Sequence, residues 1–344
     1  MKYKHILITG GAGFIGSHIA IMLKTYYPDI QVIAFDNLYR KGSELNIPRL
    51  EKHGVEFRRG DVRKKKDLAL SPIDLLIECS AEPSVMAGVT SSPEYLLETN
   101  IVGAINCFEL ARREAADVIF LSTSRVYPVE KLNAISYREM ATRYDTKAVI
   151  NESFSLDGYR TLYGATKLSA ELLLAEYSQA YKLRAVVNRC GVVAGPWQMG
   201  RVDQGFIALW VSHHVFGRPL SYFGFGGSGK QVRDVLHVDD LLALLRLQIG
   251  DIDAFSGGVF NVGGGERNIS LLELTDLCQE ITGQRVAMKK ISQMRPGDVR
   301  IYITDNSKIT KQSGWSPKHS LEDIIRDTHA WITANRSMLE NVLE

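Results

Sequence analysis

The stretch Thr9-Gly10-Gly11-Ala12-Gly13-Phe14-Ile15-Gly16 limits what this chain can become more than any other. It follows the apolar run His5-Ile6-Leu7-Ile8 and opens an apolar-periodic segment, Phe14, Ile15, Ile19 and Leu23, so the glycines fall where a buried parallel strand turns into a helix. Gly10 permits a tight turn, Gly13 lets backbone N–H groups approach a pyrophosphate, and Gly16 lets the helix pack close to the strand. The amides of Phe14 and Ile15 then offer the positive end of the helix dipole to an anion. A second run, Gln31-Val32-Ile33-Ala34-Phe35, ends in Asp36, about 20 residues past the last glycine, where a carboxylate meets a ribose 2′-hydroxyl. Asn37 and Arg40 follow on the same edge. Dinucleotide binding is the expected use of such a loop.

With 344 residues, the chain can bury a large core as one large domain or two modest ones. Its 41 basic and 39 acidic residues leave a formal charge of +2, so no electrostatic footprint for nucleic acid or an anionic membrane shows. An anionic substrate would have to be met by a few placed residues. Cys79, Cys107, Cys190 and Cys278 are far apart and form no C-x-x-C, which argues against a metal site or a disulfide framework and fits free thiols in a reducing cytoplasm. No run approaches the ~20 apolar residues that span a bilayer.

After Asp36, residues 37–54 are polar and are expected to cross over through a short helix to a third strand at Val55-Glu56-Phe57. Gly60-Asp61-Val62 follows, with Asp61 either within reach of an adenine amino group or a helix N-cap. A fourth apolar run, Ile73–Ile77, leads to Ser80-Ala81-Glu82-Pro83, whose small residues permit close approach to a ligand. Residues from about 93 to 115 read as one long helix, and Val118–Leu121 as a fifth strand. Strands alternating with helices imply an α/β fold with a doubly wound parallel sheet of the Rossmann type and a ligand crevice beyond the strand carboxyl ends.

The fifth strand delivers Ser122-Thr123-Ser124-Arg125-Val126-Tyr127 to that crevice. Some forty residues on, Leu162-Tyr163-Gly164-Ala165-Thr166-Lys167 opens a helix on which Tyr163 and Lys167, four apart, share a face. An ammonium and an oxidised nicotinamide nearby would favour the phenolate over its ordinary pKa of ~10 and make Tyr163 a base near neutral pH. A sixth strand is expected at Ala185–Arg189, and Phe260–Gly263 should return as a strand to the main sheet. Gly, Pro and aromatic residues cluster from 195 to 229 and mark a smaller second lobe. The expected division is a dinucleotide-binding domain at 1–190 with return segments near 232–262, and a substrate lobe at 191–231 and 263–344. Segments 270–283 and 321–334 read as amphipathic helices.

The glycine loop, the Ser-Thr strand end and Tyr-x-x-x-Lys together resemble the extended short-chain dehydrogenase/reductase family, which includes nucleotide-sugar epimerases, dehydratases and decarboxylases. The resemblance implies Thr123 as the hydroxyl that meets the reacting sugar oxygen, Tyr163 as acid/base, and Lys167 as the residue that binds the nicotinamide ribose and tunes Tyr163. It makes Asn100 part of the cofactor-side support, with Ser122 on the same edge. Arg233 and Arg295 become clamps for a substrate diphosphate, because a guanidinium presents paired donors suited to phosphate oxygens. NAD is the implied cofactor. Asp36 would repel the 2′-phosphate of NADP, although Arg40 and Lys41 lie close enough in sequence to bind one. A homodimer or homotetramer is implied by analogy alone.

Dehydratases of the family carry Asp-Glu directly after the strand-end Thr, and the related decarboxylases place Glu where Arg125 stands; this chain has Ser124-Arg125. Arg125, together with residues 35–42, Thr142-Arg143-Tyr144, Asp203-Gln204-Gly205 and residues 229–237, resembles the branch that holds the CDP-paratose 2-epimerases. Such a branch implies substrate contacts from Glu82, Arg125, Gln204, Tyr222 and Lys230, and a cycle in which a sugar C2 is oxidised and re-reduced from the other face. Glu78 and Glu82 depart from the family's usual His and Gln, Pro128 from its Gly, and Cys190-Gly191-Val192 lacks its Asn. Inversion at C4, elimination of water or net reduction by a relative of the same family remains open. A non-catalytic dinucleotide sensor would have no need of Thr123, Tyr163 and Lys167 together.

Overall fold

The computed structural model describes residues 2–89, 91–201 and 204–343. Its main sheet holds seven parallel strands, β1 (His5–Thr9), β2 (Gln31–Asp36), β3 (Glu56–Arg59), β4 (Leu75–Glu78), β5 (Asp117–Thr123), β6 (Ala185–Cys190) and β7 (Val259–Val262), in the spatial order 3-2-1-4-5-6-7. The order reverses between β1 and β4, which pair in parallel from Ile6↔Leu75 to Thr9↔Glu78, and a crevice opens at their carboxyl ends. β4, β5 and β6 are buried along their whole length, as strands covered on both faces must be. One core lies under the helices Phe14–Tyr26 and Val238–Gly250, the other under Ala104–Glu114 and the helix Leu162–Tyr181, so the domain is a three-layer α/β/α sandwich.

The single long helix expected from 93 to 115 is interrupted. Glu94–Leu97 is α-helical, Glu98–Gly103 widens to a π-helix, and Ala104–Glu114 resumes the α-helix. Asn100 stands in the widened turn, the kind of local insertion that often turns a side chain toward a site.

Val232–His237, placed by the sequence among the return segments of the first domain, pairs instead with Val192–Ala194, Asn268–Ser270 and Ile301–Tyr302 in a separate sheet. The return begins at Val238, whose helix packs on the main sheet, and ends in β7 beside β6. Periodicity could not separate these cases, because both neighbourhoods bury an apolar strand. Helices Phe206–Phe216, Leu271–Thr282 and Leu321–Ala334 build a third core. The last two start at capping boxes, Ser270 with Glu273 and Ser320 with Asp323. All four cysteines are free thiols, and no helix among the described residues is long and apolar enough to cross a membrane.

Candidate active site

A cavity of about 780 Å³ lies between the carboxyl edge of the main sheet and the second lobe. Gly10, Gly13, Phe14, Ile15 and Gly16 form one wall. Gly10 has φ +63°, and a side chain there would meet the Cys79 carbonyl oxygen at 2.8 Å. A Cβ on Gly16 would lie 2.2 Å from the Gly10 carbonyl oxygen, so the close helix–strand approach requires glycine. The helix begins at Gly13 with no side-chain cap and no acid in its first turn, which leaves its first amides facing the cavity. An anion fits this cradle.

Asp36, at the end of β2, accepts the Ala12 N–H at 3.1 Å and the Leu38 N–H at 2.8 Å, which ties the glycine loop to the second strand. Burial pushes its carboxyl up from the usual value against these hydrogen bonds. Asn37, Arg40, Lys41 and Val62 line the same end, where Tyr39 and Tyr95 stack at 3.9 Å. The Lys41 ammonium donates to the Asn341 carbonyl at 2.7 Å, a tie to the C-terminal segment. Asp61 does not line this cavity and lies in an adjoining recess with Asn37 and Gly60. Burial opposes its ionisation, but the Arg63 guanidinium at 2.6 Å, on both carboxylate oxygens, prevails and holds the carboxyl below its usual range.

At the inner end, β5 and the helix Leu162–Tyr181 meet. Thr161 caps the helix by accepting the Gly164 N–H at 3.3 Å. A Cβ on Gly164 would come within 2.1 Å of the Arg125 carbonyl oxygen, so glycine lets the first helical turn lie against the end of β5. This approach brings Tyr163 beside Thr123, whose oxygen accepts the Arg125 N–H at 3.2 Å. Burial pushes the Tyr163 phenol up to about 12; Thr123 and Arg125 favour the phenolate, while Cys190 and Glu82 oppose it. The lower value expected from an ammonium together with an oxidised nicotinamide calls for both, and burial holds the phenol above its ordinary value; Lys167 itself lies buried against Glu78 of β4.

Ser80 and Ala81 line the cavity beside Glu82, while the Ser80 and Ser122 hydroxyls are bonded to Glu78 and Glu171. Asn100 sits behind this wall. Its side-chain oxygen accepts the Glu82 N–H at 2.8 Å, and its amide donates to the Glu82 carbonyl and to the Thr166 hydroxyl, each at 3.1 Å. It thus locks the β4 loop to the helix that bears Tyr163.

From the second lobe, Gln204, Gln231, Arg233 and Arg295 reach the cavity. Burial together with the nearby Arg125 pulls the Arg233 guanidinium down to about 9, and burial lowers Arg125 as well. Two half-buried guanidiniums facing one space favour an anionic ligand. Residues 294–298 dock on the catalytic elements, since Arg125 donates to the Gly297 carbonyl at 3.0 Å. Tyr222 and Lys230 do not join them. In the strand Leu220–Phe223, Ser221 and Phe223 face the cavity, and alternation sends Tyr222 into the lobe, where its hydroxyl donates to Thr275 at 2.7 Å. Lys230 donates to Glu139 at 2.8 Å. Thr142 and Arg143 bind Glu273 and brace the second lobe, and Asp203 lies outside the described residues.

Sequence reasoning missed the Tyr39–Tyr95 stack and the partner of Lys167. An apolar strand that ends in a glutamate marks Glu78 as unusual, but nothing local in the sequence names Lys167 as its partner.

The fold has counterparts among known proteins. A model of the NAD dependent epimerase/dehydratase family matches residues 6–263. The chain belongs to that family. The CDP-paratose 2-epimerase of Salmonella typhi is 32% identical over 96% of this chain and 99% of its own length. The dTDP-glucose 4,6-dehydratase of Salmonella typhimurium is 28% identical over 98% of this chain and 95% of its own. Among solved structures, UDP-glucuronic acid 4-epimerase from Bacillus cereus, in complex with UDP-glucuronic acid and NAD, matches with a TM-score of 0.81 at 26% identity, over 96% of this chain and 99% of that one. The protein is accordingly an NAD-dependent enzyme of the nucleotide-sugar epimerase and dehydratase class, and the extended short-chain dehydrogenase/reductase resemblance holds.

Proposed function

We propose that this enzyme epimerises a nucleotide-diphosphate sugar, with C2 of a CDP-hexose as the reacting carbon. Arg125 is the observation that carries epimerisation over dehydration. Elimination of water needs an acid and a base beside the ketone, and the positions after Thr123 hold Ser124 and a half-buried guanidinium instead. The CDP nucleotide and the C2 position rest on likeness to the Salmonella typhi enzyme.

In this reading the amides at Gly13–Gly16 hold the cofactor pyrophosphate and Asp36 takes a ribose hydroxyl, with Asn37 and Arg40 beside it. NAD, when bound, supplies a reversible acceptor for hydride. Thr123 orients the sugar hydroxyl, and Tyr163 takes its proton and later returns it. Lys167 sits behind Tyr163 to meet the nicotinamide ribose. Arg233 and Arg295 clamp the diphosphate, and Arg125, Gln204 and Glu82 face the sugar. Orientation and charge stabilisation in the cavity carry most of the rate. Return of the same hydride to the sugar would make the cycle redox-neutral.

NMR of products from CDP-, UDP-, GDP- and dTDP-hexoses tests the reading. Inversion at C2 of a CDP-hexose is expected. Inversion at C4 of a UDP-hexose, or formation of a 4-keto-6-deoxy sugar, would overturn it.

A further inference from the structure

β4 is apolar until its last residue, Glu78. Sheet register sets Glu78 between Thr9 of β1 and Phe120 of β5, and neighbours at one level of a sheet share a face. Lys167 comes down on this row, with Nζ 3.5 Å from Glu78 Oε2 and 4.0 Å from the centroid of the Phe120 ring. The two charged side chains are 3% and 1% exposed. Thr9 and Ser80 donate to Oε1, while Oε2 has no hydrogen-bond partner among the described residues. The thiols of Cys79, Cys107 and Cys190 surround the pair. Burial pushes all three up, Cys190 to about 12, so they stay neutral. The groups that face Tyr163 from other elements are Thr123, Cys190, Arg125 and Glu82.

We propose that Glu78 is a positioning residue for the acid/base pair, holding the Lys167 ammonium over Phe120 and withholding part of its charge from Tyr163. A buried ammonium against a carboxylate presents a dipole rather than a full charge to a third group. Because the contact is long and Oε2 accepts no hydrogen bond, the ammonium keeps its donors for a ribose hydroxyl.

Glu78→Gln keeps the shape and removes the charge. The rising limb of kcat/KM against pH, set by Tyr163 losing its proton, should move to lower pH by about one unit. An unmoved limb in folded Glu78→Gln protein overturns the proposal; Glu78→His carries the same expectation if the glutamine variant does not fold. Thermal stability gives a readout independent of turnover. Lys167→Met leaves a buried carboxylate without its counter-charge, and adding Glu78→Gln should recover most of the lost stability; additive losses contradict the pairing. The inference rests on Tyr163 as acid/base, so Tyr163→Phe is measured alongside. An active Tyr163→Phe protein overturns that reading and the inference with it, whereas with Tyr163→Phe inactive the pH limb alone decides.

Discussion

Thr123, Tyr163 and Lys167 are carried by one strand and one helix that meet closely at Gly164, with Asn100 tying the helix to the β4 loop and Thr161 capping it. Gln204, Arg233 and Arg295 come to the same cavity from a second lobe whose segments are scattered through residues 191–344. The first group sits where a parallel sheet and a 3.6-residue helical period leave it no other place. The second is set by tertiary packing between short strands and loops, so its members can be exchanged by a one-residue change of facing. Chemistry should therefore fail steeply when the first region is touched, and binding should fail gradually when the second is.

Tyr163→Phe should show the largest effect, a fall in turnover of ~10²–10⁴-fold with NAD affinity by calorimetry little changed. Near-normal turnover would remove Tyr163 from the acid/base role. Gly164→Ala comes next. Its added methyl meets the Arg125 carbonyl, so the helix must shift; stability should drop by about 1–3 kcal/mol in denaturant melts, and kcat should fall ~10²-fold from the misplaced phenol. A fully active, equally stable variant would show that the close packing positions nothing.

Arg233→Ala should raise KM by ~10–100-fold and leave kcat within a few-fold, the signature of uniform binding lost. A fall in kcat at constant KM would move Arg233 from the diphosphate to the reacting centre and break the division between the lobes. Smallest of all, Tyr222→Phe should leave KM unchanged and cost about 1 kcal/mol of stability, because its hydroxyl serves Thr275 inside the lobe. A raised KM would restore Tyr222 to the substrate.

The same division explains how far the sequence could be read. Strand β1, the glycine turn and Asp36 follow from local pattern, since positive φ at Gly10 and the 2.2 Å approach at Gly16 admit no other residue. Tyr163 and Lys167 share a face by helical period alone, and the strand end that meets them is the next one in the sheet. The pairing of Lys167 with Glu78 depends on which strands are neighbours and on which face each side chain takes, and no local pattern carries that. Tyr222 was misplaced for a related reason: in a four-residue strand, a shift of one position exchanges cavity for core. The π-helical turn at Glu98–Gly103 also had no signal, because one extra residue in a helix scarcely disturbs its apolar period.

Isotope content at the inverted carbon tests the central claim most directly. The purified enzyme turns over its nucleotide-sugar in deuterated water, and product is read by NMR. Direct return of hydride from a retained nicotinamide predicts inversion with no solvent deuterium at that carbon. Deuterium there, or undiminished inversion after all pyridine nucleotide has been removed, would contradict the account.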